Sequence, residues 1–295
     1  MSDLSAFLSS SPSQSRPALM DLARRQAAAR APRDLTRQWA RDPSVAPGEL
    51  DQRMLLALDV VALDAADGYE ALQLSPVAPL GVNSVVAPTS QDRTLTTTRG
   101  TEVVSDPTNV LALEAARRLS LAPSSAVRLC TTHQTLRMQP TGAGAGTSQH
   151  FRLFSVADSG RGLPDERFEV DAVVGQLRVF DRIFDACEAE GFAFPDRRAV
   201  IRVSPEREAL GERIEAALTR DLPHLAVGRE SLDSTYYGGL RVGFGACGRS
   251  GEFHEIADLG AFDWVARLTG DARQRFIAGG LGLQLIPVLF GPVQH

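Results

Sequence analysis

Two segments decide the fold: VRLCTTHQTL at residues 127–136 and FRLFSVA at 151–157. Each alternates as a half-buried strand does, and they flank a glycine-rich loop, Pro140–Ser148, so the spacing predicts an antiparallel hairpin. Working upstream, Asp106-Pro107-Thr108-Asn109 opens a helix running to about Leu119, with Asp106 as N-cap and Pro107 at the first helical position. Residues 80–105 are rich in Val, Thr and Gly with turn signals at Pro88 and Gly100, which predicts a hairpin or a pair of short strands. Met54, Leu55, Leu58, Val61 and Leu63 recur at helical spacing between Leu50 and Ala66, and Gly68 stands where a left-handed C-cap belongs. The alternating segment Tyr69–Pro76 follows and reads as a strand stopped by its proline. Pro17–Ala40 is an Arg- and Ala-rich arm helix, and the Ser/Pro-rich residues 1–16 are expected to be a disordered tail.

Downstream, Val170, Val173, Val174, Leu177, Phe180, Ile183 and Phe184 predict the longest helix, from about Glu166 to Gly191. A strand at Ala199–Val203, a helix at Glu206–Leu218, strands near Tyr236–Gly245, a helix near Phe262–Leu268 and an apolar end at Phe276–Phe290 complete the chain. Hairpins outnumber βαβ units, so the fold class is α+β, an antiparallel sheet flanked by helices, with residues 17–295 as one core domain.

Composition narrows the function. The chain has 295 residues, 43% of them hydrophobic, enough for a full core. A net charge of −5 argues against general nucleic-acid binding. All 31 basic residues are arginine, which most simply reflects a GC-rich genome, although arginine also serves phosphate and carboxylate recognition. Cys130, Cys187 and Cys247 are far apart and form no CxxC pair, so neither a disulfide framework nor a zinc site is indicated. No run approaches the roughly 18–20 apolar residues of a membrane helix, and the N-terminus lacks a secretory pattern, so a cytoplasmic protein without membrane association is expected.

The order of elements and several motifs resemble the catalytic core of class II aminoacyl-tRNA synthetases, nearest the histidyl branch. Ala65–Glu70 through Ser75-Pro76 resembles the first motif, whose helix and strand build a dimer interface; the resemblance therefore implies a homodimer. Val104–Leu113 is similar to the segment introducing the amino-acid side of the site. Val127–Cys130 leading to Leu136-Arg137, then His150–Phe154, is similar to the second motif, whose arginine holds the ATP α-phosphate. Leu232–Gly239 resembles the tyrosine-pair motif of the histidyl branch, and Gly279–Leu285 resembles the third motif. The likeness spans roughly residues 50–290.

The departures carry equal weight. Gln139 stands where an acid follows the second-motif arginine, and Gln284 and Leu285 replace the acid and the arginine of the third. Leucine offers no charge-assisted fork for a γ-phosphate, so ordinary adenylation is not expected. The given sequence ends soon after this motif, so no anticodon-binding domain is expected. The family that keeps such a core without translating is the regulatory subunit of ATP phosphoribosyltransferase in histidine biosynthesis, which acts through a catalytic partner. On that resemblance the protein senses an amino acid and performs no chemistry alone, although His150–Ser155 stands where that family has a phenylalanine-threonine-glutamine segment. Two alternatives stay open: a stand-alone amino-acid-activating ligase, with ATP and Mg²⁺ as its cofactors, and a structural dimeric adaptor.

Arg137 is the first ligand-binding candidate, because a hairpin arginine beside a glycine-rich tip can meet a phosphate or carboxylate bidentately; its plain alternative is a surface ion pair. Gly142–Gly146 can close over a ligand or act as a linker, and without GKS/T it is no phosphate loop. Tyr236 and Tyr237 can line a small-molecule pocket or pack a strand. Asp106 and Glu102 can contact an amino group, and Gln139 and Gln284 occupy motif positions. His133 and His150 flank the hairpin, where a lone histidine is more often structural. His254 beside Glu252 and Glu255 lacks a second histidine at ligand spacing, so no metal site is expected. The order of residues supports no Ser-His-Asp or Cys-His constellation, and the GxSxG elbow is absent.

Overall fold

A computed structural model describes residues 2–139 and 149–291. The glycine-rich segment 140–148 of the expected hairpin tip lies outside the described residues. The hairpin itself is formed by β4 (Val127–Leu136) and β5 (His150–Arg161), in continuous antiparallel register from Val127 opposite Ser159 to Leu136 opposite His150. It is the seed of an eight-stranded sheet. In spatial order the strands are β1 (Glu70–Ala71), β4, β5, β10 (Gln274–Gly282), β9 (Phe253–Phe262), β8 (Leu240–Cys247), β6 (Arg198–Val203) and β7 (Ala226–Ser231). Every pairing is antiparallel except those of β1 with β4 and β6 with β7, at the two edges. A separate two-stranded ribbon joins β2 (Val77–Pro79) to β3 (Thr101–Val103).

Helices cover both faces. On one lie α4 (Gln52–Ala65) and α6 (Arg167–Ala189), whose Leu177, Phe180, Ile183 and Phe184 are fully buried against Phe154, Ile277 and Phe244. Phe184 stacks on Phe194 with centroids 4.1 Å apart and meets Phe244 at 4.9 Å. Leu210 and Ile214 of α7 (Glu208–Asp221) extend this cluster over β6. On the other face α5 (Pro107–Leu121) and α8 (Trp264–Thr269) bury Leu111, Leu119 and Trp264 against Leu129, Ala157 and Phe276. Side chains on β4, β5 and β10 alternate between these clusters, Cys130, Val156 and Ile277 in the first and Leu129, Ala157 and Ala278 in the second, as the pleat requires. A short α9 (Leu285–Leu289) follows β10.

Local chemistry explains the boundaries. Asp106 caps α5 by accepting from the Thr108 amide at 3.0 Å, with Pro107 at the first position. Gly68 ends the turn after α4 at φ +84°, a conformation open to glycine. The expected strand Tyr69–Pro76 shrinks to Glu70–Ala71, prolonged only by the Leu72 amide donating to Cys130. The arm is two helices, α2 (Pro12–Ala28) and α3 (Pro32–Trp39), because Pro32 opens a new helix rather than continuing the old one. Residues Ser2–Leu8, expected as tail, form α1. Neither α2 nor α3 buries a residue.

A polar knot ties the first-motif segment to the sheet. Asp158 on β5 is buried; its Oδ2 accepts from the Tyr69 hydroxyl at 2.8 Å and from Gln176 Nε2 of α6 at 2.8 Å, and its Oδ1 accepts from Arg128 Nε at 3.0 Å. Burial, then the Asp158 charge, pushes the Tyr69 phenol upward from its ordinary pKa. Nearby, Arg152 donates from Nε to Asp59 of α4 at 2.8 Å.

Candidate functional site

Beyond the reach of α5 the second face of the sheet holds a cleft of about 650 Å³, within the usual range for small-molecule sites. Its floor is the glycine-rich end of β10, Ala278 to Gly282, beside Phe151 and Leu153 of β5 and Asp258 of β9. Glycine is required at 279, where a Cβ would lie 2.6 Å from the Leu259 Cβ and 2.8 Å from the Asp258 carbonyl oxygen.

Arg137 enters from just beyond β4. Its Nε donates to the Ser105 carbonyl at 3.0 Å, its Nη2 lies 3.5 Å from Asp106 Oδ2, and its guanidinium sits 5.0 Å from the Phe151 ring centroid. Asp106 therefore serves twice, as helix cap and as counter-ion. Opposite, Tyr236 and Tyr237 meet edge to face at 5.0 Å, and both line the cleft. They precede β8 rather than lying on it, because the chain turns through Gly239 at φ +80° before the strand begins. Tyr236 packs on Phe262 and Trp264, while the Tyr237 hydroxyl donates to Asp258 Oδ2 at 2.5 Å. Burial foremost, with Asp106 next for Tyr236 and Asp258 next for Tyr237, raises both phenols, so each stays protonated at neutral pH.

Asp258 also accepts from Arg241 Nε at 3.2 Å. Arg241 pairs with Glu255, Glu255 with Arg202 at 2.8 Å, and Arg202 with Glu230 at 2.8 Å, an alternating-charge ladder from the cleft to β7 at the sheet edge.

The structure thus brings Arg137, Asp106, Tyr236, Tyr237, Gln139 and Gln284 to one cleft. Gln284 accepts from the Arg152 amide at 3.2 Å. Glu102 is not there: buried, it accepts from the Gly81 and Asn83 amides at 2.8 Å each and from Gln91, holding the turn that follows β2. His133 stands opposite Leu153 on the same sheet face but one strand further out, buried and outside the cleft lining, with its pKa lowered by burial and then by Arg152. His150 bridges Gln134 and the Ala46 carbonyl, and His254 packs edge-on to Phe290. Among the described residues no cluster of three His, Cys, Asp or Glu could hold a metal, and no helix is long and apolar enough to cross a membrane. Burial raises the Cys130 and Cys187 thiols to about 11 and about 12.

Asp258, Arg93 and Asn83 also line the cleft and were not singled out from sequence. Asp258 carried one usable signal, an acid inside an otherwise apolar strand, IADLGAF. With Arg93 and Arg137 on one side of the ledger and Asp106 and Asp258 on the other, the cleft offers both charges, as a zwitterion needs.

The sequence matches no protein-family model and no curated protein. Solved structures do share the fold, among them class II aminoacyl-tRNA synthetases and a relative of the histidyl branch. A histidine–tRNA ligase subunit from Alicyclobacillus acidocaldarius is similar at TM-score 0.60 and 15% identity, over 84% of this chain and 96% of that one. An ATP phosphoribosyltransferase regulatory subunit/histidyl-tRNA synthetase from Bacillus halodurans gives 0.59 and 11%, over 81% and 80%. The histidyl-tRNA synthetase of S. aureus gives 0.58 and 12%, over 82% and 68%. The chain has a class II synthetase-like fold.

Proposed function

We propose that the protein is a non-translating class II synthetase paralogue that binds a free amino acid in the cleft and regulates a catalytic partner, in the manner of the regulatory subunit of ATP phosphoribosyltransferase. One observation carries the reading: the cleft sets guanidinium groups and carboxylates around a tyrosine pair, yet ends at Gln284 and Leu285 where the synthetase pattern has an acid and an arginine. An α-carboxylate would meet Arg137, freed from its 3.5 Å contact with Asp106, and the ammonium would meet Asp106 or Asp258. The fold shared with the B. halodurans ATP phosphoribosyltransferase regulatory subunit/histidyl-tRNA synthetase supports the direction. Exposed Leu56 and Val60 on α4, next to the first-motif turn, support a homodimer through this helix.

Calorimetric titration with histidine, with a panel of other amino acids and with ATP–Mg²⁺, on the wild type and Arg137→Ala, tests the reading. Amino-acid binding without an ATP response is the expected result. ATP binding that is lost in Arg137→Ala identifies a stand-alone ligase instead, and silence on both identifies an adaptor.

A further inference from the structure

Asp258 differs from Asp106, the other acid of the cleft, in how its oxygens are used. Its side chain is 40% exposed, and both bonds it accepts, from the Tyr237 hydroxyl at 2.5 Å and from Arg241 Nε at 3.2 Å, fall on Oδ2. Among the described residues Oδ1 accepts no hydrogen bond. A carboxylate fixed through one oxygen and open through the other is an acceptor held ready for a donor. Its cation is shared as well, because Arg241 also pairs with Glu255, and along the ladder to β7 two arginines serve three carboxylates.

Two glycines keep this arrangement. A Cβ at 260 would lie 2.3 Å from Tyr237 Cδ1, so Gly260 lets the ring lie against β9, and a Cβ at 243 would lie 2.0 Å from Glu255 Oε2, so Gly243 lets that carboxylate reach Arg241. Gly280 stands directly opposite Asp258 in the pairing of β10 with β9, and with no side chain there the floor of the cleft is open between Asp258 and β5. At the hairpin end Arg137 and Asp106 already form the pair that a carboxylate and an ammonium take up together. Of the two acids Asp106 acts more on the Tyr236 phenol and Asp258 on that of Tyr237, so the tyrosine pair spans the distance between them. An amino acid seated at Arg137 and Asp106 leaves Asp258 to its side chain.

We propose that Asp258 is the specificity-determining residue of this cleft and selects an amino acid whose side chain ends in a cationic or N–H-donating group. The proposal rests on the amino-acid reading of the cleft and deepens it. The α-carboxylate accepts from Arg137, the α-ammonium donates to Asp106, and the head of the side chain donates to Asp258 Oδ1 over the bare backbone of Gly280. A side chain with an apolar end would cover Oδ1 without giving it a donor, and is disfavoured for that reason.

The test titrates the full chain with two matched pairs, lysine against norleucine and histidine against phenylalanine. The wild type binds the nitrogen-bearing member of each pair roughly tenfold or more tightly, the effect of one charge-assisted bond. In Asp258→Asn the amide oxygen takes the place of Oδ2, since Arg241 can only donate, and the NH2 turns toward the cleft; both ratios then fall to within about threefold of one. Should that variant fail to fold, Asp258→Ala, which leaves Arg241 its Glu255 partner and Tyr237 in the cleft lining, carries the comparison. A wild-type ratio near one in either pair, or ratios unchanged by the substitution, overturns the proposal and leaves the amino-acid reading in place. A wild type that binds none of the four overturns both.

Discussion

Replacing Asp158 by alanine strips the knot that holds the first-motif segment to β5 and α6. Three donors lose their acceptor, and their fates differ. Arg128 has a side chain 44% exposed and can turn to water, so it adds little. Gln176 is fully buried, but its Nε2 keeps a 3.0 Å bond to the Ile277 carbonyl. Tyr69, 9% exposed, is left with a stranded hydroxyl. With one donor wholly unsatisfied and one half satisfied, at about 1–3 kcal/mol for each orphaned group, Asp158→Ala should cost roughly 2–4 kcal/mol. That is the lower part of the range for breaking a buried pair. Urea denaturation followed by far-UV circular dichroism measures it, provided the slope of the transition is unchanged. Tyr69→Phe removes the group that would be stranded, so the double variant should be more stable than Asp158→Ala alone, by up to about the 1–3 kcal/mol assigned to that hydroxyl, and well short of the sum of the two single losses. A loss below about 0.5 kcal/mol for Asp158→Ala, the size of an ordinary surface substitution, or strict additivity of the pair, would refute the reasoning.

Phe184→Ala removes the ring shared by Phe194, Phe244 and Phe290 and should cost about 3–5 kcal/mol in the same assay. Gly279→Ala forces a methyl against Leu259 and the Asp258 carbonyl; a loss of about 1–3 kcal/mol, with weakened amino-acid binding, is expected from thermal melts and titration. Glu114 is held at about 2, below its ordinary 4.5, foremost by its hydrogen bonds from Arg117 and also by Arg118. Because the folded value is the lower one, its contribution is full above about 4.5 and is lost as pH falls toward 2. Glu114→Gln should therefore flatten the decline of the melting temperature across that window, and an unchanged slope would contradict the assignment.

Elements marked by local chemistry were legible in the sequence. Asp106-Pro107 announces α5, Gly68 the end of the first-motif helix, and the alternation of 127–136 and 151–157 the central hairpin. β7 escaped notice because AVGRES, an exposed parallel edge strand, has no alternation to read. β9 was missed because FHEIADLGAF mixes charge and glycine, whose placement follows from neighbours on both sides: Gly260 leaves room for the Tyr237 ring and the Leu240 carbonyl. Arg137, Asp106 and the tyrosine pair were visible as motifs. Asp258 and Arg93 were not, since nothing local says that residues 93, 137 and 258 converge. Glu102 shows the converse error: a buried acid near the site binds backbone amides of its own turn rather than the cleft.

Titrating the wild type with histidine and with ATP–Mg²⁺ tests the central claim most directly. The proposed regulatory subunit binds histidine with Arg137-dependent affinity and gives no heat with ATP–Mg²⁺. ATP binding abolished by Arg137→Ala would contradict it and make the protein an adenylate-forming ligase.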